Sequence, residues 1–445
     1  MTFAIALQAC GIGDFFKKIA IALLGRTRGG NAKVAILASG LFGSISGHPG
    51  ANIFATGSFT IPAMKKEGFS PEFAGAVEAT ASTGGSLMPP VMGAVAFIMA
   101  EFLEMSYATI CVAAAVPSIL YYLCLFAQID AHAAKLSLVP TNVSVDVPPV
   151  KKILWDNIHI LVGFIVLFYF LFYFRLESWA PWMASLATFA LASLRKHSRI
   201  SLSGFLLFLE DLGKTLGQMM AIMGPVGMII GSFILTGIAF SLPHGLVAIA
   251  GGNVFLLLLM GAFAAFVLGM GVSVSACYIF LAITLAPGLE MAGLNKLAVH
   301  MFVLYCGLWS NITPPVALSA FTAAIVSGGD PMKTGIESMR IGVANFLLPF
   351  FFVLSPAMLL QGAWVESIQV IPTAAIGIII ISGGMESYFW KIGKLKFFPS
   401  ALLVLSGILL GVPETTTDIL GVVISVILLT VLTLRKKRID PCVAA

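Results

Sequence analysis

Apolar residues in this chain run in long blocks. Stretches near the ~20 residues that a helix needs to cross a bilayer recur at 107–128, 153–174, 178–194, 217–241, 340–360, 366–383, 398–412 and 419–434, and they predict membrane spans. Two regions, 33–101 and 255–326, break the pattern. In each, an apolar half-length segment runs into a small polar turn and a second half-length segment runs out. A loop ending in Gly follows, then a long segment interrupted by a polar patch and Pro-Pro.

The two regions match without a gap at a constant offset of 225. Pro62 falls on Pro287, Gly68 on Gly293, Ala51 on Ala276, and Pro89-Pro90-Val91 on Pro314-Pro315-Val316. The Ser-Gly-rich turn from Ser44 to Gly50 falls on the turn from Gly269 to Ser275. Backbone N–H and C=O groups are not left bare in lipid, so broken helices are tolerated where they line a protected or wet cavity. Gly allows the tight turn and Pro removes a donor. Ser, Thr and Asn can then join freed carbonyls around an ion or substrate. Two matched broken segments in two halves point to a transporter binding site.

Charge sets the orientation, because Lys and Arg collect in cytoplasmic loops. Arg435 to Arg438 close the last span and should be cytoplasmic. Walking backwards, 413–418 falls outside, Lys391, Lys394 and Lys396 inside, 361–366 outside, and Lys333 with Arg340 inside. Lys151, Lys152 and the run from Arg195 to Arg199 flank an out-and-back pair of spans. Lys65 and Lys66 lie at the inner foot of the first hairpin, whereas the matching loop from Met291 to Lys296 must lie outside. The two copies therefore have opposite topology, as an inverted repeat. The second copy is preceded by a full span (217–241) and the first by about half of one, which predicts a fragment or a late start.

Composition agrees. Of 445 residues, 59% are hydrophobic and 10% charged, against about 25% charged in soluble domains; mean hydropathy is +1.01. The net charge of +5 calls for no nucleic-acid partner. Cys10, Cys111, Cys124, Cys277, Cys306 and Cys442 show no CxxC spacing and read as small buried hydrophobes. The first 25 residues lack a signal-peptide layout.

Several motifs resemble the TRAP (tripartite ATP-independent periplasmic) transporters, and among them the fused permeases of the TAXI branch. They are Gly11-Ile12-Gly13-Asp14-Phe15-Phe16, Gly25-Arg26-Thr27-Arg28-Gly29-Gly30, Thr56-Gly57-Ser58-Phe59-Thr60-Ile61-Pro62, Phe73-Ala74-Gly75-Ala76-Val77-Glu78-Ala79 and Ala81-Ser82-Thr83-Gly84-Gly85. In the second copy they are Gly269-Met270-Gly271, Ile312-Thr313-Pro314-Pro315-Val316 and Asp330-Pro331-Met332-Lys333-Thr334-Gly335. The resemblance covers roughly residues 5–360. It implies an all-α polytopic membrane protein, an inverted repeat with two re-entrant helical hairpins and two broken transmembrane helices, working as an elevator. On that reading 1–32 is a partial leading span with an interfacial arm. Residues 33–101 and 255–326 form the transport domain, 102–254 and 327–365 the scaffold, and 366–445 extra C-terminal spans with a basic cytoplasmic tail. Expected partners are a periplasmic substrate-binding protein, a small four-helix membrane subunit absent from this sequence, and the lipid bilayer. The substrate would be an organic acid or amino acid, and the coupling ion sodium or a proton, with no other cofactor. The location would be a bacterial or archaeal inner membrane, with the C-terminus cytoplasmic. Where the family has Ser-Gly-Ser-Ala-Val-Ala-Asn this chain has Ser46-Gly47-His48-Pro49-Gly50-Ala51-Asn52. Where it has Gly-Leu-Pro-Thr-Thr this chain has Gly271-Val272-Ser273-Val274-Ser275, which leaves the coupling ion open.

Candidate ion or substrate contacts are Ser44, Ser46, Gly47, His48 and Asn52 at the first tip and Ser82, Thr83, Gly84 and Gly85 at the first break. In the second copy they are Gly269, Gly271, Ser273 and Ser275 at the tip and Ser310, Asn311 and Thr313 at the break. Sodium ligands are sought at Ser46, Asn52, Gly85, Gly271, Ser275 and Thr313. The plainer alternatives are close packing of small residues and Pro kinks capped by local hydroxyls. His48 is either a neutral, hydrogen-bonded tip residue or a proton carrier. Glu78 is either a structural partner to backbone or Ser or a participant in the transport cycle. Other readings are a binding-protein-independent elevator symporter of anions or dicarboxylates, a membrane-embedded enzyme and a passive channel. Six dispersed His without HExxH or paired intramembrane acids disfavour the enzyme, and repeated broken helices disfavour the channel.

Overall fold

A computed structural model describes residues 2–138, 148–194, 201–270 and 272–439. The chain opens with α1 (Thr2–Ala9) and α2 (Ile12–Leu24). The first broken region is α3 (Gly30–Ser46), α4 (Pro49–Glu67), α5 (Pro71–Gly85) and α6 (Ala94–Leu103). There follow α7 (Tyr107–Lys135), α8 (Val150–Asp156), α9 (Ile158–Phe168) with a π turn at Tyr169–Tyr173, α10 (Ala180–Leu194), α11 (Leu202–Leu235) and α12 (Ile238–Ile249). The second broken region is α13 (Val254–Gly269), α14 (Val274–Thr284), α15 (Ala286–Met291), α16 (Lys296–Ile312) and α17 (Leu318–Ser327). The chain continues through α18 (Pro331–Ile341), α19 (Val343–Leu354), α20 (Trp364–Met385), α21 (Phe397–Leu409) and α22 (Thr415–Ile439). A two-stranded turn, β1 (Tyr388–Phe389) with β2 (Gly393–Lys394), joins α20 to α21 and is an exception to the all-α expectation.

Among the described residues four helices are long and apolar enough to span a membrane: Tyr107–Lys135, Pro331–Leu354, Trp364–Met385 and Thr415–Lys436. The bent pair Val150–Asp156 and Ile158–Tyr173, with an angle of 73°, makes a fifth. Differences from the expected spans have local causes. The segment expected at 217–241 begins earlier, at Leu202, where Ser201 accepts a hydrogen bond from Gly204 N–H. It stops at Gly237, whose φ of 75° favours glycine and ends the helix. The segments expected at 178–194 and 398–412 form helices of 15 and 13 residues, each shorter than a full crossing. The five described cysteines are buried and free. Cys442, Gly271 and the run from Arg195 to Arg199 lie outside the described residues.

Every element of the first broken region recurs 225 residues later to within two residues at each boundary: α3 as α13, α4 as α14 with α15, α5 as α16, α6 as α17. Ser70 caps α5 as Asn295 caps α16. Both Pro-Pro bonds are cis, Gly68 and Gly293 both have positive φ, and so do Met92 and Ala317. The packing is reciprocal as well. Helix α6 lies on α14 and α16, while α17 lies on α4 and α5. Each region thus lends its terminal arm to the other.

Among the described residues, Lys65, Arg340 and Lys391 lie toward one end. Lys65 Nζ donates to Ser327 O at 2.8 Å and Lys436 Nζ to Lys391 O at 2.8 Å. Glu386, fully buried just beyond α20, pairs with Arg340 at 2.5 Å and with His132 at 2.8 Å, and Lys135 Nζ donates to its carbonyl at 3.0 Å. Burial alone would raise the Glu386 carboxyl, but His132 and Arg340 outweigh it and hold the group below the ordinary carboxylate range. Asn295, Gln361, Glu366 and Asp418 line a cavity of about 450 Å3 at the opposite end. The 22 residues of α20 separate the two ends by roughly 33 Å, with Trp364 and Trp390 exposed beside them, as in an interfacial aromatic belt.

Candidate functional site

The first hairpin turns where α3 ends at Gly47, whose φ of 61° and N–H to Gly43 O bond (2.8 Å) close the helix. His48 is extended and Pro49 opens α4, a position where the missing N–H costs nothing. The tip seats on the break between α5 and α6. Val91 N–H donates to Ser44 O at 3.0 Å and Ser86 Oγ to Gly47 O at 3.3 Å. A Cβ on Gly43 would stand 2.7 Å from Gly85 Cα, and one on Gly47 would meet Gly93 Cα. Two backbones touch here because neither carries a side chain.

Beneath the tip lies a closed polar network. Asn52 Nδ2 donates to Ser39 O at 2.8 Å and to Ser39 Oγ at 3.0 Å, and Ser39 Oγ lies 2.8 Å from Ser82 Oγ. Glu78 is completely buried and accepts from Thr56 Oγ1 on one oxygen and from Thr60 Oγ1 at 2.5 Å on the other. Helices α3, α4 and α5 are thereby tied together through side chains. Asn52, Thr56 and Thr60 stand at four-residue spacing on one face of α4, opposite Glu78 and Ser82 at the same spacing on α5. That periodicity is the signal in the sequence for Thr56 and Thr60, which are not among the expected contacts; Ser39, on α3, has no such signal.

Helix α7 grips the same region through carbonyls. Tyr121 and Tyr122 donate to Thr80 O and Ala81 O, each at 2.8 Å. Ser118 donates to Leu87 O at 2.6 Å, and Tyr107 to Pro90 O at 2.9 Å and Val91 O at 2.6 Å. The bonds to Leu87, Pro90 and Val91 satisfy carbonyls freed by the break.

The second tip is built differently. Ser273 is exposed and caps α14, accepting from Ala276 N–H at 3.3 Å; Ser275 is half-buried. Gly269 faces the second break, where an added Cβ would lie 3.0 Å from both Ser310 Oγ and Gly307 O. Ser310 Oγ donates to Gly307 O at 3.1 Å. Asn311 Nδ2 and Thr313 Oγ1, and at the first tip Ser46 Oγ, are buried without a hydrogen-bond partner, a state that asks for an explanation in a native fold.

The structure therefore brings Ser44, Gly47, Asn52, Ser82 and Gly85 together, and Gly269 with Ser310. Other expected contacts turn elsewhere. Thr83 Oγ1 bonds its own helix at Ala79 O, 2.8 Å away; Gly84 packs against the Tyr121 ring; and His48 is exposed with no capping bond. Among the described residues no group of three His, Cys, Asp or Glu side chains could hold a metal ion. The available donors are neutral hydroxyl, amide and carbonyl oxygens, which suit a hard alkali cation.

Parts of the chain are similar in sequence to known proteins. The chain is 40% identical over 80 residues to the C4-dicarboxylate TRAP transporter large permease protein DctM of Vibrio cholerae, 18% of each chain. It is 33% identical over 132 residues to the protein of that name from Pseudomonas aeruginosa, 29% of this chain and 30% of that one. For the Rhodobacter capsulatus protein the figures are 32% over 90 residues and 20% of each chain. The matched stretches thus span less than a third of these relatives. The family model described as "Tripartite ATP-independent periplasmic transporter, DctM component" matches residues 1–367, and the chain belongs to that family.

Proposed function

We propose that the chain is the membrane permease subunit of a TRAP-type secondary transporter, of the TAXI branch, that imports a small organic acid or amino acid by an elevator movement. The observation that carries this reading is the reciprocal exchange of α6 and α17 between two halves whose hairpin tips face helix breaks. Two such halves of opposite topology make one midplane site that alternates its access. The relatives' names point to C4-dicarboxylates, and we extend the carboxylate class, not the individual substrate, to this chain. Helix N-termini at the tips and breaks favour an anion there.

Sodium would be held by Ser46, Asn52 and Gly85 in the first half and by Ser275 and Thr313 in the second, and when bound it would neutralise substrate charge. The buried, unpartnered hydroxyls of Ser46 and Thr313 support that assignment. A coupling proton is the competing choice. The moving unit is 33–101 and 255–326; α7 is bonded both to α5 and its break and, through Gln128, His132 and Lys135, to Ile341 and Glu386 outside that unit, so it stands at the boundary between the moving and fixed parts. Lys65, Arg340 and Lys391 toward one end support a cytoplasmic C-terminus in a bacterial or archaeal inner membrane. A periplasmic binding protein and a small four-helix subunit would complete the system, and we assign no enzymatic activity.

Reconstitution in proteoliposomes with the cognate small subunit and binding protein tests this reading. Carboxylate uptake should follow an imposed sodium or proton gradient and show counterflow. Gradient-driven uptake without the binding protein would favour an independent symporter, and flux without counterflow would sink the carrier reading.

A further inference from the structure

The two halves share a backbone plan and differ in what holds it. In the first half five buried polar side chains, Ser39, Asn52, Thr56, Thr60 and Ser82, converge with Glu78 to join α3, α4 and α5. The residues 225 positions on are Ala264, Cys277, Leu281, Leu285, Gly307 and, opposite Glu78, Val303. Those side chains cannot form such a network. In lipid, apolar surface gives little reason for one helix to hold another, so side-chain hydrogen bonds and close packing decide. The first tip has both, with Gly43 on Gly85 and Gly47 on Gly93. Their counterparts Leu268, Ser310, Val272 and Leu318 all carry side chains, and the close approach of the second half lies instead at Gly269 and Gly307. Helix α4 runs unbroken from Pro49 to Glu67, while its counterpart divides between α14 and α15. Behind the second tip, Ile229 and Phe233 of α11 face Leu268, Val272, Ala276 and Phe280 across an apolar cavity of about 90 Å3.

We infer that Glu78 is a positioning residue that makes hairpin 1 the fixed wall of the site, and that hairpin 2 is the movable wall, able to swing toward the cavity against α11 to admit and release substrate. Glu78 acts through Thr56 and Thr60, which fix the face of α4 that carries Asn52. The second hairpin has a slighter tie, Tyr278 Oη to His300 Nδ1 at 2.7 Å with His300 Nε2 3.4 Å from Glu290, and it has space behind it. This inference rests on the two-hairpin carrier proposed above, but its central observable is independent of transport.

Hydrogen–deuterium exchange on the full chain with its small membrane subunit in nanodiscs reads the difference directly. Amides in 44–60 should exchange about tenfold more slowly than those in 269–285, as expected where one tip keeps hydrogen bonds the other lacks. Glu78→Ala should speed exchange in 44–60 and leave 269–285 unchanged, and Glu78→Gln, which keeps an acceptor oxygen, should recover most of the protection. If Glu78→Ala does not fold, Thr60→Val removes one of the two ties and should give a smaller rise confined to 44–60. Equal exchange of the two tips in the wild type would overturn the inference, as would a rise spread over both tips or no change at 44–60. Counterflow on the same preparation separates the two proposals. Asymmetric exchange without counterflow sinks only the carrier reading, and counterflow with symmetric exchange sinks only the fixed-wall assignment.

Discussion

The first hairpin and the second follow one backbone path, yet one is tied by a buried carboxylate network, while the other has Ala, Cys, Leu, Val and Gly at the matching positions and the slighter tie of Tyr278 on His300. Topology is therefore set by features both copies keep: the positive-φ Gly at the loop, the capping Ser70 or Asn295, the Pro-Pro break and the residue of positive φ after it. On the inference drawn above, rigidity would be set by features only one copy has. A duplicated fold can conserve its path and still divide its labour.

The most severe way to break this comparison is to give the second half the first half's charge without its partners. Val303→Glu should cost several kcal/mol, because a buried carboxylate with no donors is unpaired; size-exclusion chromatography should show loss of the folded peak. Next is the backbone contact. Gly43→Leu forces a side chain into Gly85, costing about 1–3 kcal/mol or more and abolishing uptake. Leu268→Ala at the matching position borders the apolar cavity and should leave the fold intact by the same chromatography.

A smaller effect tests whether the basic end acts independently of either hairpin. Because Glu386 is held below its ordinary value, its contribution is complete above the unfolded pKa of about 4.3 and is lost as pH falls through the lower folded value. Thermal unfolding midpoints should drop as pH is lowered through that acid window, and Glu386→Gln should flatten the drop. The smallest effect is Thr60→Val, which removes one donor to Glu78 and should destabilise by about 1 kcal/mol, read as a shift in unfolding midpoint. Leu285→Thr at the matching position should bring no compensating gain, since Val303 offers its hydroxyl no acceptor.

Spans, breaks and the repeat were legible because each rests on a one-dimensional property. Apolar length, a constant offset of 225 and the placement of Pro and Gly depend on no neighbour in space. Glu78 stood out for the same reason, as an acid inside an apolar segment. What tertiary structure alone decided is which side chains meet. Ser39, Thr56 and Thr60 became part of the site because three helices converge on one carboxylate, while Gly84 left it because that face of α5 packs on Tyr121. The grip of α7 on the first break and the burial of Glu386 between His132 and Arg340 likewise depend on contacts far apart along the chain. Sequence determines where a membrane helix must run or break, because the bilayer tests each backbone group locally; which polar groups share a bond is fixed only when the helices are packed.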